Sequence, residues 1–184
     1  MNIDPEALYQ SLATQEPTPL AALPRTHGMY ALYDHEGVMR YVGITMNDQS
    51  GFYGRIYQRH VAGSESRSHK FSHAYNTGRM WRAARDSRPD AKLSKGLRTA
   101  FVRRFCRATV IEVPIARHAD LPLLERTVQR LAPAGQLTWI DARGFEPIDE
   151  PRALVDLLLA ELAYTSDRVE ALLRQAALHS ARPR

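Results

Sequence analysis

Residues 28–43 read GMYALYDHEGVMRYVG. Two short apolar runs, Met29 to Tyr33 and Val38 to Ile44, flank Asp34-His35-Glu36-Gly37, and this turn-rich connector predicts a β-hairpin. With a side-chain period of two, Tyr30 and Leu32 share one face of the first strand, and Ala31 and Tyr33 share the other. On the second strand Tyr41 and Gly43 share a face. A glycine beside a tyrosine is expected to leave open backbone next to a phenol, where a ligand can approach closely.

The chain of 184 residues is long enough for one well-buried core with a terminal extension. No apolar run approaches the ~20 residues that span a bilayer. The early acids Asp4 and Glu6 do not fit a secretory leader. A cytoplasmic protein without a membrane partner is therefore expected. The single cysteine, Cys106, excludes an intrachain disulfide and a cysteine-based zinc cluster, and is read as a packing residue. Charge is uneven. From Arg55 to Arg107 there are fourteen Lys or Arg against three acids, which makes this stretch +11 in a chain of net +5 and leaves the remainder at −6. Such a field favours a polyanion, with nucleic acid the expected partner. Arginine dominance also admits a solvated surface in an arginine-rich proteome.

Along the chain, Asp4-Pro5 starts a packing helix over residues 5 to 13, and residues 14 to 27, punctuated by Pro17, Pro19 and Pro24, read as a linker. Met46 to Gly51 is a loop, and Phe52 to Ala62 is a helix ended by Gly63. His69 and His73 stand four apart without a convincing third ligand, so phosphate contact or plain surface is preferred over zinc. In RMWRAARDSR, Arg79, Arg82 and Arg85 surround Trp81. They either grip a backbone while the indole stacks on a base, or Trp81 and Met80 pack and the arginines are solvated. Asp90 to Phe105 is a basic helix with Leu93, Leu97, Phe101 and Phe105 as its stripe. Ala108 to Val113 is the third strand. A helix opened by Asp120-Leu121-Pro122 runs to Leu131 and carries Glu125. After a polar connector, Pro151 to Tyr164 and Asp167 to Leu178 are two helices that cover the domain or form a homodimer interface. Ser180 to Arg184 is expected to be disordered.

Gly28-Met29-Tyr30, followed eleven residues after Tyr30 by Tyr41-Val42-Gly43, resembles the signature hairpin of the GIY-YIG endonuclease family, with Met and Val in the two Ile positions. Arg55 on the following helix, and Leu124-Glu125 with Pro133 eight residues beyond the glutamate, keep the family's order. The resemblance covers roughly residues 27 to 140. It implies an α+β fold, a small three-stranded mixed or antiparallel sheet flanked by helices, with extra N- and C-terminal helices. The resulting division is an N-terminal helix and linker at 1–26, a nuclease domain at 27–140 with a basic helical insert at 64–107, and a C-terminal extension at 141–184.

The resemblance also implies chemistry. Tyr30 would relay a proton from the attacking water, with Tyr41 positioning it or sharing the role. Arg55 would bind the scissile phosphate, and Arg55 with the metal would stabilise a phenolate. Glu125 would hold Mg2+ or Mn2+. The alternative for Glu125 is a surface glutamate that meets only Gln129. The family often has a histidine four residues after the arginine; here Arg59 stands there and His60 follows. On an α-helix one residue is about 100° of rotation, so His60 is expected to point away from the site unless the helix is distorted, or Arg59 or Tyr57 takes over part of the role. Where many members have an asparagine three residues after the proline, this chain has Gln136. Arg59, Lys70, Arg79, Trp81, Arg82, Lys92 and Lys95 are the candidate nucleic-acid contacts. The expected activity is a metal-dependent endonuclease, DNA favoured, of restriction or phage-defence type. A catalytically inactive nucleic-acid-binding protein of the same fold is the alternative.

Overall fold

The computed structural model describes residues 4–46 and 49–182. Asn47 and Asp48 of the expected loop, and Pro183 and Arg184 of the expected disordered end, lie outside the described residues. The chain divides into two compact units, one from the residues up to His60 with Phe105–Phe145, the other from Val61–Arg104 with the residues from Glu146 onward.

The first unit is α+β. Helix α1, Pro5–Thr14, begins as expected, with the Asp4 carboxylate accepting from the Glu6 amide at 3.0 Å and proline in its first turn. Strands β1 (Thr18–Pro19), β2 (Gly28–Tyr33), β3 (Met39–Thr45) and β4 (Arg107–Glu112) form one antiparallel sheet in the order β1-β4-β2-β3. The expected three strands are thus four. The extra one lies inside the stretch read as a linker and pairs Thr18 with Ala108 and Pro19 with Arg107. Two residues are too few to display a strand period, and proline is tolerated at a sheet edge because its missing N–H faces no partner strand.

Strand β2 is central and all six of its residues are buried. On one face Met29, Ala31 and Tyr33, with Val42 of β3, pack against Leu8 and Leu12 of α1 and Leu124 and Val128 of helix α4, Leu121–Leu131. The Tyr33 and Thr109 hydroxyls both donate to the Leu12 carbonyl, at 2.6 and 3.0 Å, fastening α1 to β2 and β4. The hairpin turn is held by Asp34, 1% exposed, whose carboxylate accepts from the amides of Glu36 and Val38 at 2.9 Å each and from Arg40 Nε at 2.6 Å.

The second unit is helical. It contains α2 (Lys70–Ala74), α3 (Pro89–Phe105), α5 (Arg152–Glu161) and α6 (Ser166–Ser180). The basic insert and the C-terminal extension, separate pieces in the sequence, build it together. Arg79 joins them: Nε donates to Glu150 at 2.5 Å and Nη1 to Asp156 at 2.5 Å. Buried Arg98, on the face of α3 that also carries Leu97 and Phe101, shares the Glu65 carboxylate with Arg82. The expected disorder from Ser180 does not begin there: Ser180 ends α6, with its hydroxyl on the Ala176 carbonyl at 3.1 Å.

Asp34→Ala strands two turn amides and one guanidinium. It should lower unfolding free energy by about 3 kcal/mol, read by urea denaturation. A loss below about 1 kcal/mol would show that the turn holds without the carboxylate.

Candidate active site

Tyr30 occupies the middle of the central strand, on the face opposite the α1 and α4 packing. Its neighbours in register are Gly43 on β3 and Val110 on β4. Both glycines of the hairpin motif have steric duties. At Gly28, with φ +147°, a Cβ would stand 2.1 Å from the Ile111 carbonyl oxygen of β4. At Gly43 a Cβ would meet Tyr41 Cε1 at 2.5 Å and the Tyr30 hydroxyl at 2.7 Å. The backbone expected to lie open at Gly43 is therefore covered by the Tyr30 ring. The glycine makes room for a phenol, not for a ligand.

The chain after the hairpin forms a π-helix over Tyr53–Val61. Its hydrogen bonds run i→i+5, so residues five apart, rather than four, stack along one side. Arg55 and His60 are five apart. Of the alternatives expected for His60, the distorted helix is the one present, and for this reason His60 does not point away. His60 is fully buried, its Nε2 is 2.7 Å from the Tyr30 hydroxyl, and its ring centroid is 5.7 Å from that of Tyr41. Phe52 closes the other side of Tyr30, edge-on at 6.3 Å. Arg59 is exposed on the same helix, and Tyr57 stacks on Tyr53 at 4.9 Å.

Burial dominates the electrostatics of these side chains. Burial pushes the Tyr30 phenol well above its ordinary pKa, and Tyr41 and Glu125 push the same way, while the charge and hydrogen bond of Arg55 only partly oppose them. Burial thus favours the neutral phenol at Tyr30. Tyr41 is pushed up to about 12, first by burial and then by Glu125, against the lowering effect of Arg55 and a hydrogen bond with Tyr30. Burial also raises Glu125, opposed by the charges of Arg55 and Arg126. Glu125 is held on α4 above the edge of β3 by Gln129, whose Nε2 donates to the Val42 carbonyl at 2.9 Å and reaches Glu125 Oε1 at 3.4 Å. The Gln129 contact exists, but Glu125 also acts electrically on Tyr30 and Tyr41, so it is more than a surface glutamate.

The structure therefore brings together Tyr30, Tyr41, Arg55, His60 and Glu125. A divalent cation suits Glu125 in charge, because its partly buried carboxylate is not fully compensated by the two arginines. Among the described residues no cluster of three or more His, Cys, Asp or Glu could cage an ion. An ion here would lean on one carboxylate, water and substrate oxygens, a set that magnesium accepts. Gln136, the residue in the asparagine position, is engaged elsewhere, with its Oε1 accepting from Tyr9 at 3.0 Å.

The remaining candidates lie in the second unit. Trp81 is 5% exposed, as in the packing alternative, with Arg182 over its ring at 5.4 Å. Arg79 and Arg82 are neither solvated nor unengaged: carboxylates of Glu150, Asp156 and Glu65 hold them. Lys70 is buried, Lys95 half-buried, and Lys92 exposed. His73 Nδ1 lies 2.9 Å from the Glu65 carbonyl oxygen. Sequence reasoning named Gln129 as the neighbour of Glu125 but missed its bond to the Val42 carbonyl, along with the duties of Phe52 and Gly43. Comparison with protein-family models, curated proteins and solved structures finds no match to this chain.

Because the folded pKa of Glu125 is raised, its contribution to stability is complete below the ordinary carboxylate pKa of ~4.3 and is lost as pH rises through the folded value. Glu125→Gln should therefore melt higher than wild type at pH 7, with the gap closing below about pH 4. An unchanged gap across that range would deny the carboxylate its burial penalty. Gly43→Ala should cost about 1–3 kcal/mol and displace the Tyr30 ring, seen as changed His60 imidazole resonances in NMR.

Proposed function

We propose that this chain is a metal-dependent endonuclease that hydrolyses phosphodiester bonds of nucleic acid, with DNA the favoured substrate. The observation carrying the reading is the buried Tyr30–His60 hydrogen bond of 2.7 Å, set beside Arg55, Tyr41 and Glu125. It is supported by the chain's resemblance to the GIY-YIG hairpin.

Hydrolysis needs a deprotonated water in line with the leaving oxygen, and compensation for charge on the phosphate. A neutral Tyr30 cannot take a proton and keep its own. With a neutral imidazole at His60, Tyr30 passes its hydroxyl proton to Nε2 as it accepts one from the attacking water, and no free phenolate accumulates. Tyr41, beside both rings, orients the water. The Arg55 guanidinium binds non-bridging oxygens of the phosphate as their charge grows. Glu125 holds a magnesium or manganese ion, which when bound supplies positive charge at the phosphate and leaving oxygen.

The non-cleaving alternative drew on two departures from the family pattern, the histidine at 60 and the glutamine at 136. A π-helix that turns His60 onto Tyr30 weakens the first, and the engagement of Gln136 by Tyr9 keeps the second.

Purified protein incubated with plasmid, single-stranded DNA and RNA, each with magnesium, manganese or EDTA, tests the proposal. Metal-dependent cutting should fall by about 10² or more in Tyr30→Phe, His60→Ala and Glu125→Ala. A wild type that retards DNA in a gel and cuts nothing with either metal would replace the nuclease by the binding protein.

A further inference from the structure

The π-helix that carries Arg55 and His60 holds a second set of side chains, which the proton relay does not use. Tyr57 stacks on Tyr53 with ring centroids 4.9 Å apart and planes 20° apart, and the Arg25 guanidinium lies over the Tyr53 ring at 4.9 Å. Both rings are half-exposed and Arg25 is exposed. Backbone bonds fix this ladder. The Phe52 amide donates to the Thr26 carbonyl at 2.9 Å and the Tyr53 amide to the Pro24 carbonyl at 3.1 Å, tying the residues around Arg25 to the start of the helix. Arg25 also lines a cavity of about 380 Å³ beyond the end of β4, whose walls include His27, Glu112, Ile115 and His118. That side is tied down as well: the Val113 amide donates to the His27 carbonyl and His118 Nε2 to the Val113 carbonyl, both at 3.0 Å. One guanidinium and two half-exposed imidazoles line the cavity with a single exposed carboxylate, and Ile115, 82% exposed, adds an apolar contact.

We propose that the Arg25–Tyr53–Tyr57 ladder and the cavity beside it bind unpaired nucleotides flanking the phosphate at Arg55, so that the substrate is single-stranded or opened at that place; the choice of nucleic acid rests on the reading above. A duplex keeps its bases stacked on one another and offers a protein its phosphates and groove edges. Aromatic rings in a stack, ended by a guanidinium and set beside a basic groove, instead suit bases that have left the duplex. The flat guanidinium of Arg25 continues the ladder for such a base, and the basic side chains of the cavity take the adjoining phosphate. A helix is about 10–12 Å across with its side chains, so a strand whose phosphate lies on Arg55 reaches the ladder within a few nucleotides. Because the backbone bonds hold the ladder in place beforehand, little ordering cost opposes binding.

Fluorescence anisotropy of the full chain in EDTA tests this, with a labelled oligo-dT, an abasic deoxyribose-phosphate oligomer of the same length and a blunt duplex as probes. Oligo-dT should bind about tenfold or more tighter than either of the others. Arg25→Ala and Tyr57→Leu should each weaken oligo-dT binding about tenfold, and Tyr57→Phe, which keeps the ring, should retain it. Arg25→Ala removes an exposed side chain, so it decides the matter even if Tyr57→Leu fails to fold. No oligo-dT binding, equal binding of the abasic oligomer, or a preference for duplex would overturn the proposal. So would a Tyr57→Leu protein that melts lower yet binds oligo-dT as wild type does, since the ladder would then only brace the helix. Base-dependent binding in a protein that cuts nothing would remove the nuclease and retain the ladder, whereas cutting without base-dependent binding would do the reverse.

Discussion

A phenol hydroxyl buried at the centre of a sheet has to be hydrogen-bonded, and the first unit is arranged around that constraint. Tyr30 stands on the innermost strand with no exposure. A neighbouring side chain at position 43 would collide with it, so the partner strand carries glycine there. The hydroxyl then needs polar groups from outside the sheet, and the helix that supplies His60 and Arg55 does so by adopting i→i+5 geometry. Burial favours the neutral phenol, and in the proposed reaction proton acceptance therefore falls to Tyr30 and His60 as a pair.

The second unit shows why charge counted along a sequence is a poor map of a surface. The stretch from Arg55 to Arg107 is strongly basic, yet Arg79, Arg82 and Arg98 are consumed by Glu65, Glu150 and Asp156. Two of those three acids come from the C-terminal extension. Acids of the C-terminal extension and arginines of the basic insert are complementary parts of one folded unit. The field available to a polyanion is smaller than the count suggests, and exposed residues such as Arg59 and Lys92 carry more of it.

Hairpin, turn and strand faces were legible because they depend on local rules: a period of two, an Asp-to-Gly connector and β-prone residues on either side. The five residues of the candidate site were legible through their resemblance to a known motif. The direction of His60 stayed open, because an α-helical period turns it away, a distorted helix does not, and no residue between 53 and 61 announces the wider period. The short edge strand at Thr18–Pro19 was hidden by its length and its proline. Arg98 was hidden by its type, since burial of a guanidinium is decided by a carboxylate thirty-three residues earlier.

The sequence by itself determined which residues form the hairpin, that Tyr30 and Tyr41 belong to a common site, and that Arg55 and Glu125 accompany them. The hairpin follows from local spacing, whereas the grouping of the four side chains was what the resemblance to a known motif implied. Only the tertiary structure decided that His60 meets Tyr30, that burial raises the pKa of both phenols, that Gln129 holds Glu125 to the edge of β3, and that most arginines of the insert are already paired. Each of those depends on burial and on groups far apart in the chain, so no local pattern encodes them.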